Sequence, residues 1–364
     1  MRQITSQWNH FGRHKGVALV TVLLIVFLAT VAATAMVSRQ FMDVRHTTNI
    51  INVEQGYIAL FAWEELAKRT LLMDTNNVDS FTRQDTWAMV DSINIDNQMM
   101  KTRLLSVIPK VGEFTVLEVQ IEDLQGRFNL NNLAISGTSI HADRFARLLT
   151  LRGLPPELSS QTIDWVDADG SRVAADGADD DVYLTLDPPY LAANRQMTSA
   201  SELMHLYNLR ELSEEVGARR NQVGAMYGSI QNEGQPGVDI ALTALPEETG
   251  INVNTVASPL VLQMIVPDLS DENARELYRE ISNRGRRNPY ESVDEFLSDS
   301  RVNGQNKKNI SERLVVSSDY FMLKIEAGNG RMKIYLNSIL HRTGQGAGRT
   351  VQVIQRSFTK WGEI

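Results

Sequence analysis

The feature that most constrains this chain is the apolar run Val17–Val37, which contains no charged residue. At a rise of ~1.5 Å per residue the run makes a helix of about 31 Å, which matches a bilayer core of ~30 Å. The residues before it include Arg2, Arg13 and Lys15 and no acid. Positive charge on that side keeps the N-terminus cytoplasmic, so the sequence predicts a single-pass membrane protein whose remaining part is exported.

The junction between the basic leader and the apolar run has three possible interpretations. An uncleaved signal anchor and a secretory signal peptide are the simpler two, but a secretory signal has an apolar core of only ~7–15 residues. The segment Lys15-Gly16-Val17 instead resembles the processing site of type IV prepilins and pseudopilins, in which a membrane peptidase cuts after the glycine. We therefore expect cleavage between Gly16 and Val17.

The fifth position of the mature chain is Thr21, where major pilins carry glutamate. A carboxylate in hydrocarbon is costly unless it is paired, and in pilins the expected partner is the terminal amine of a neighbouring subunit. A subunit with no neighbour ahead of it gains nothing from that charge, whereas threonine can bond its own helix carbonyls. Thr21 therefore indicates a subunit at a filament tip, although it is also compatible with an ordinary tolerated helix residue.

Helical periodicity continues past the apolar run to about Met73, with no proline before Pro109. The apolar residues form one stripe, so the anchor helix should extend as an amphipathic helix whose second half packs on a sheet. Gly56 marks a kink, a close packing point or simply a tolerated weak position. The stripe comprises Ile50, Val53, Tyr57, Leu60, Phe61, Leu71 and Leu72.

Alternating apolar and polar residues predict the strands of that sheet, one near 114–123 and others between 319 and 358. The intervening chain has mostly helical periodicity. The predicted fold class is α+β, a pilin-like long N-terminal helix packed on an antiparallel sheet with a large all-α insertion. The predicted domains are a cleaved basic leader (1–16), a transmembrane part of the helix (17–37), the pilin helix with the first sheet segments (38–123), an inserted α-domain with an acidic loop (124–318) and C-terminal strands (319–364).

Two segments of the insertion, Leu154–Ser159 and Val266–Ser270, place a proline and then a serine where a helix would begin. This arrangement resembles small SAM-like or helix-hairpin-helix modules, many of which bind DNA phosphates through a glycine pair. The turn Pro267-Asp268-Leu269 lacks glycine and adds a carboxylate, and the formal net charge of -8 also opposes phosphate binding. We predict a structural or partner-binding module and no nucleic acid.

The most acidic stretch, Asp164–Asp187, contains eight aspartates and one arginine. Such stretches are usually solvated surface, but like charges this dense repel one another unless a counterion lies among them. Carboxylate oxygens suit Ca²⁺, whereas Mg²⁺ prefers a tighter octahedron and keeps water. The glycine and the final glutamate of an EF-hand are missing from the required positions. We therefore predict a structural Ca²⁺ site with ligands drawn from Asp167, Asp169, Asp179 and Asp180.

Catalytic function has little support in the sequence. The chain has no cysteine, which excludes disulfides, thiolate metal sites and cysteine nucleophiles. We find no serine-histidine-aspartate spacing, phosphate loop or zinc motif. Clustered aspartates in a glycine-containing loop also fit a paired-carboxylate hydrolase poorly. We predict that the chain is not an enzyme, and a hydrolase that uses the aspartate loop is the remaining catalytic alternative.

Six segments spread along nearly the whole chain resemble the general secretion pathway protein K family, the large minor pseudopilins of bacterial type II secretion. The leader alone would fit any pseudopilin, whereas the Trp-Val-Asp-Ala-Asp segment with the later acidic loop is much more particular. The segments are Lys15–Leu24, Asp123–Asn131, Asp164–Asp169, Gly177–Tyr183, Ile251–Thr255 and Ser292–Leu297.

The resemblance implies an inner-membrane protein with a periplasmic pilin-like domain, an inserted α-domain and bound calcium. It also implies a tip complex with I- and J-type minor pseudopilins that caps or initiates the pseudopilus and supports export of folded proteins. Prepilin peptidase and the inner-membrane secretion platform would be further partners. The family often has Glu-Asp where this chain has Asp179-Asp180, so Asp181 joins the predicted ligands. The alternative is a membrane-anchored periplasmic module that binds secreted substrates by itself.

Overall fold

The computed structural model describes residues 15–73, 114–135, 139–210, 214–228, 240–246, 248–284, 288–302, 307–330, 332–344 and 346–360. The chain forms two compact units, Met1–Gln55 and Gly56–Ile364. In the first unit the described residues belong to helix α1 (Lys15–Met73), and the part of α1 from Gly56 onward belongs to the second unit. The predicted leader, apart from its last two residues, lies outside the described residues.

The second unit contains the sheet and the insertion. Its strands are β1 (Thr115–Asp123), β2 (Phe128–Asn129), β3 (Leu242–Thr243), β4 (Ile251–Asn252), β5 (Leu314–Val315), β6 (Tyr320–Gly328), β7 (Lys333–Thr343) and β8 (Thr350–Ser357). Its α-helices are α2 (Ser139–Leu151), α3 (Glu157–Val166), α4 (Asp180–Tyr183), α5 (Glu214–Tyr227), α6 (Pro259–Ile265), α7 (Asp271–Arg284), α8 (Val293–Leu297) and α9 (Lys307–Ser311). Short 3-10 helices lie at Leu124–Gly126, Leu130–Ala134, Ala200–His205, Tyr207–Leu209 and Gly346–Gly348.

Helix α1 provides the one membrane-length segment in the described part of the chain, Val17–Met73. Its side chains from Val17 to Ile51 are all exposed, and those from Val17 to Val37 carry no charge. The Thr21 hydroxyl donates to the Ala18 carbonyl at 2.9 Å, so this polar group is satisfied within the helix. The long N-terminal helix predicted from the sequence is confirmed.

The sheet is antiparallel and has the order β1-β6-β7-β8 among the described residues. One face packs on the part of α1 that begins at Gly56, and this face forms a core separate from that of the insertion. A Cβ on Gly56 would lie 2.3 Å from Ile334 Cδ1, so Gly56 is a close packing point of helix on sheet. The core includes Leu60, Trp63, Ala67 and Leu71 of α1 and Val119, Ile121, Phe321, Leu323, Ile325, Leu336 and Leu340 of the sheet.

The insertion has its own large hydrophobic core and is mostly helical, but the prediction that it is all-α was wrong in detail. Strand β2 pairs with β3 and β4 pairs with β5, both in parallel. Each of these strands has only two residues, so none is long enough to show the alternation by which strands are predicted. Ser270 precedes α7 and accepts the Asn273 N–H at 3.3 Å as expected, whereas Ser159 lies inside α3.

Asp123 joins the insertion to the sheet. Its Oδ1 accepts the Gln125 N–H at 2.8 Å. Its Oδ2 accepts Asn252 Nδ2 at 3.1 Å, the Thr255 hydroxyl at 2.5 Å and the Ser318 hydroxyl at 2.6 Å. One buried carboxylate therefore holds the end of β1, the segment after β4 and the residues that precede β6.

Three asparagines that follow Asp123 tie the insertion together. Asn129 Oδ1 accepts the Leu245 N–H at 2.9 Å, and Asn132 Nδ2 donates to the Thr249 carbonyl at 2.8 Å. Asn131 Oδ1 accepts the Met197 N–H at 2.8 Å, and Asn131 Nδ2 donates to the Met197 carbonyl at 2.9 Å. These side chains replace the main-chain ladder that a longer strand would provide, and they position the region that carries the acidic loop.

Candidate metal centre in the acidic loop

The acidic loop follows α3 and is folded back on itself by carboxylates that accept main-chain hydrogen bonds. Asp164, in the last turn of α3, accepts the Val173 N–H at 2.7 Å. Asp179 caps α4 by accepting the Asp180 N–H at 2.7 Å. Asp180 in turn accepts the Ala192 N–H at 2.9 Å. The loop is thus an ordered structure built from its own acidic side chains.

Four buried carboxylate and amide oxygens of this region have no hydrogen-bond partner among the described residues. They are Oδ2 of Asp164, Oδ1 of Asp167, Oδ2 of Asp179 and Oδ1 of Asn194. The amide of Asn194 is held by its other end, since Nδ2 donates to Asp179 Oδ1 at 3.4 Å. A buried acceptor without a partner costs about 1–3 kcal/mol, so these oxygens are suited to accept hydrogen bonds or to contact a cation.

The electrostatics of the loop indicate the same need. Burial is the main cause that raises the pKa of Asp164 to about 6, and the charges of Asp179 and Asp169 contribute. Burial likewise raises the pKa of Asp167 to about 6, with the three neighbouring aspartates adding to the effect. Both carboxyls are difficult to ionise because they are poorly solvated and lie near other carboxylates. A cation bound beside these carboxylates would favour their ionised form and lower their pKa values.

The oxygens present are of the kind that Ca²⁺ binds. Carboxylate and amide oxygens are hard ligands, and calcium takes six to eight of them at ~2.3–2.6 Å. A Cβ on Gly177 would lie 2.1 Å from Asp164 Oδ2, so no larger residue fits here without displacing that oxygen. Among the described residues no three His, Asp or Glu side chains form a ready metal-binding group. The side chains would therefore have to close around a bound ion.

The predicted ligands differ in what they do. Asp167 and Asp179 each provide one of the unpartnered oxygens, and Asp169 accepts the Ser171 N–H at 2.9 Å. Asp180 is engaged with the main chain as described above. Asp181 is exposed and pairs with Arg172 at 2.9 Å. These five assignments stay predictions.

Two residues with unpartnered oxygens, Asp164 and Asn194, were not among the predicted ligands. Asp164 belongs to the acidic stretch, but it lies within helical periodicity, which favours a structural interpretation. Its spacing of three residues from Asp167 was the available signal, because residues three apart lie on one helix face. Asn194 is uncharged and lies beyond the acidic stretch, so no sequence pattern pointed to it.

Aromatic side chains fasten the loop to the insertion core. The rings of Trp165 and Tyr183 meet edge to face at 5.4 Å, and those of Tyr183 and Tyr190 lie 5.0 Å apart. Trp165 also stacks on His205 at 6.3 Å. Leu184, by contrast, is 54% exposed, and Val173 and Leu191 are exposed as well. The loop is therefore anchored on one side and open to solvent on the other.

Comparisons with known proteins give a consistent family. Residues 126–219 and 251–317 match two family profiles, each described as type II secretion system (T2SS), protein K. Type II secretion system protein K of Pseudomonas aeruginosa is 31% identical, over 95% of this chain and 93% of its own length. The chain belongs to the type II secretion system protein K family. The protein K of Klebsiella pneumoniae is 29% identical, over 96% of this chain and 97% of its own length.

A solved protein K structure has the same fold. It comes from the GspK-GspI-GspJ complex of the enterotoxigenic Escherichia coli type 2 secretion system. The match has a TM-score of 0.60 at 20% identity and covers 85% of this chain and 99% of that chain. The likeness confirms a mixed fold with a long N-terminal helix and an antiparallel sheet. The SAM-like or helix-hairpin-helix-like character of the insertion stays a prediction.

Membership of the protein K family confirms the resemblance found in the sequence, and the chain is a minor pseudopilin of type II secretion. The profile that spans 126–219 contains the acidic loop, and the profile that spans 251–317 contains Asn252 and Thr255, which bond Asp123. The regions by which the family is defined therefore include the acidic loop and two residues that bond Asp123, whereas Asp123 itself lies outside both. The predicted domain boundaries remain untested.

Proposed function

We propose that this chain caps or initiates the type II pseudopilus at its tip, in a complex with I- and J-type minor pseudopilins. In that position it would support export of folded proteins across the outer membrane. The observation that carries the proposal is the insertion, nearly two hundred residues with a core of their own between the neighbouring strands β1 and β6. So large a body has room at a filament end, where no further subunit stacks above it.

Two further observations support the tip position. The related GspK chain was solved in a complex with GspI and GspJ, which makes I- and J-type subunits the natural partners to test. At Thr21 the first helix carries a hydroxyl bonded to its own Ala18 carbonyl, so no buried acid there requires the terminal amine of a subunit ahead. Both the I- and J-type partners and the absence of an acid at Thr21 are consistent with a subunit at the end of the filament.

The same proposal includes processing and topology. Prepilin peptidase would cut between Gly16 and Val17, the first helix would cross the inner membrane at the secretion platform, and the remaining chain would be periplasmic. The exposed, uncharged surface of α1 from Val17 to Val37 supports insertion in lipid. No catalytic role is included in the proposal.

Calcium has a structural role in this proposal. Asp164, Asp167, Asp179 and Asn194 would supply side-chain oxygens to a Ca²⁺ ion, with Asp169 as a further carboxylate. Asp180 and Asp181 would shape the loop through Ala192 and Arg172. The ion would neutralise the loop and hold it in one conformation at a subunit interface.

Co-purification from solubilised membranes tests the tip complex. The full chain is expected to recover I- and J-type subunits of its own secretion system and to begin at Val17 by mass spectrometry. Recovery of exported proteins without any pilin-like subunit would instead support the alternative of a binding module that acts alone. A mature N-terminus elsewhere would exclude the prepilin-type processing.

Metal analysis tests the calcium site separately. The purified chain is expected to contain calcium and to lose thermal stability when a chelator is added. Asp179→Asn should reduce both effects, whereas Asp176→Asn, an exposed aspartate of the same loop, should leave them unchanged. Equal stability of the native chain with and without chelator would refute the calcium proposal.

A further inference from the structure

Strand β8 has a free edge in the part of the chain that the structure describes. It pairs with β7 on one side, and the described sheet ends there. Its eight residues, Thr350–Ser357, present main-chain donors and acceptors along a row. Native proteins cover, shorten or charge such edges, because an exposed edge pairs readily with another chain.

The charged residues of β8 and its flanking segments are all basic, although Arg356 is paired with Glu64 of α1. No acidic residue occurs between Asn337 and Gly362, in a chain with a formal net charge of -8. Arg349 lies just before β8, and its Nε and Nη1 have no hydrogen-bond partner among the described residues. Lys360, just after the strand, is exposed. The opposite edge strand, β1, carries Glu118 and Glu122 and no base, so an acidic segment is attracted to β8 rather than to β1.

Apolar side chains continue the surface from β8 onto α1. Ile354 is 40% exposed and Phe358 45% exposed. The Phe358 ring meets Tyr57 edge to face at 5.1 Å and Phe61 at 6.2 Å, so these rings form one continuous patch. The patch adjoins the last residues of the edge, where an added strand would contact it.

A cavity opens on the other face of the same strand. Its volume is about 100 Å³, several times the ~10–15 Å³ that one water requires, so it has space for a side chain. Gln355 and Ser357 of β8 line one wall, while Arg127 and Ala200 of the insertion line another. Arg127 is buried and paired with Glu122, so it gives this wall a fixed positive charge.

We propose that β8 accepts an extended, acidic segment of a neighbouring pilin-like subunit by strand addition, and that one side chain of that segment enters the cavity. Main-chain pairing would supply affinity, and the cavity with the flanking cations would supply specificity, as in other cases of strand addition. The inference rests on the proposed function, because it assigns the surface by which the chain binds its partner subunits.

Hydrogen exchange on the full-length chain, alone and bound to the I-type or J-type subunit of its own system, tests the proposal. In the complex the amides of β8 are expected to exchange at least tenfold more slowly than in the free chain. The amides of β1 serve as an internal control and should change little. Unchanged exchange in β8 within a complex that forms would overturn the strand addition while leaving the tip complex intact.

Charge variants provide the second measurement. Thr350→Glu combined with Lys360→Glu, both at exposed positions, should weaken subunit binding at least tenfold and leave the melting temperature unchanged. Gln355→Trp, which would obstruct the cavity, should weaken subunit binding without altering the charge of the chain. Arg275→Gln with Lys308→Glu, which changes the net charge by the same amount, is the matched control on exposed helices of the insertion. Normal binding by both edge variants would overturn the inference, and failure of the unmodified chain to bind either subunit would overturn the proposed function as well.

Discussion

The carboxylate of Glu64 on α1 accepts two hydrogen bonds from the Arg356 guanidinium group on β8, one from Nε at 3.0 Å and one from Nη2 at 2.7 Å. Glu64 is buried, and the Ser338 hydroxyl on β7 also donates to it. Ser338 and Arg356 are directly opposite one another in the β7–β8 ladder. One helix carboxylate therefore fastens two adjacent strands.

Arg356→Met should lower the free energy of unfolding by about 1–3 kcal/mol, because a buried carboxylate would keep only the Ser338 hydroxyl as a partner. Urea unfolding of the detergent-solubilised chain measures the change. Arg356→Lys retains the charge but not the paired geometry and should give an intermediate loss. An unchanged urea midpoint in Arg356→Met would show that this ion pair contributes nothing to stability.

Gly126→Ala should be strongly destabilising, by about 2 kcal/mol or more, since its Cβ would lie 1.9 Å from the main-chain oxygen of Thr255. Backbone atoms cannot rotate away as a side chain can. Gly217→Ala is the matched control, because nothing lies within 4 Å of its added Cβ in α5. That change should stabilise the chain by roughly 0.5–1 kcal/mol through helix propensity. Equal effects of the two substitutions in thermal unfolding would contradict the close approach at Gly126.

Stability should decrease in mild acid because of His141. Its pKa is lowered from 6.5 to about 4, chiefly by burial and then by the charges of Arg144 and Arg313, while Glu248 lies 3.9 Å away. The unfolded chain therefore binds a proton first, so stability present above pH ~6.5 is lost as the pH falls toward ~4, by about 1–3 kcal/mol. Urea unfolding at pH 7.5, 6 and 5 should show a smaller decline for His141→Phe than for the native chain. Parallel declines would exclude His141 as the source.

The metal-free acidic loop should respond to pH in the opposite direction. The pKa values of Asp164 and Asp167 are raised to about 6 from an ordinary value near 3.8, so the folded state holds protons that the unfolded state has released. Without metal, these groups lower stability as the pH rises from ~4 to ~6. Calcium needs the ionised carboxylates, so stabilisation by added calcium should be large at pH 7.5 and small at pH 5. A calcium effect independent of pH in calorimetry would argue against these two ligands.

The sequence was a good guide wherever a periodic pattern was long. Strands β6 and β7 and helix α1 each repeat their pattern over many residues. In β8 the pattern is interrupted, because Leu340 opposes Val353 while Ile339 opposes Gln355, which leaves Ile354 as an extra residue. If side chains alternated regularly along β8, Val353 and Arg356 would lie on different faces of the sheet. The bulge reverses that assignment, and nothing in the local sequence marks it.

The candidate site was predictable in composition but not in geometry. Clustered aspartates identified the loop and its neighbouring charges. Which oxygens lack a partner depends on the turn that brings Val173 to Asp164 and on the contact of Asn194 with Asp179. Both contacts join residues nine or more positions apart, and no short-range pattern encodes them.

The contact between Asp123 and Ser318 has a consequence for the order of folding. Strands β1 and β6 pair as a hairpin would, but their connection is nearly two hundred residues long. Closing an unstructured loop of that length costs roughly 5 kcal/mol in chain entropy, beyond the cost of the contact itself. We therefore expect the insertion to fold first and to bring its own ends together, so that the sheet forms last, on a connection that has already become short.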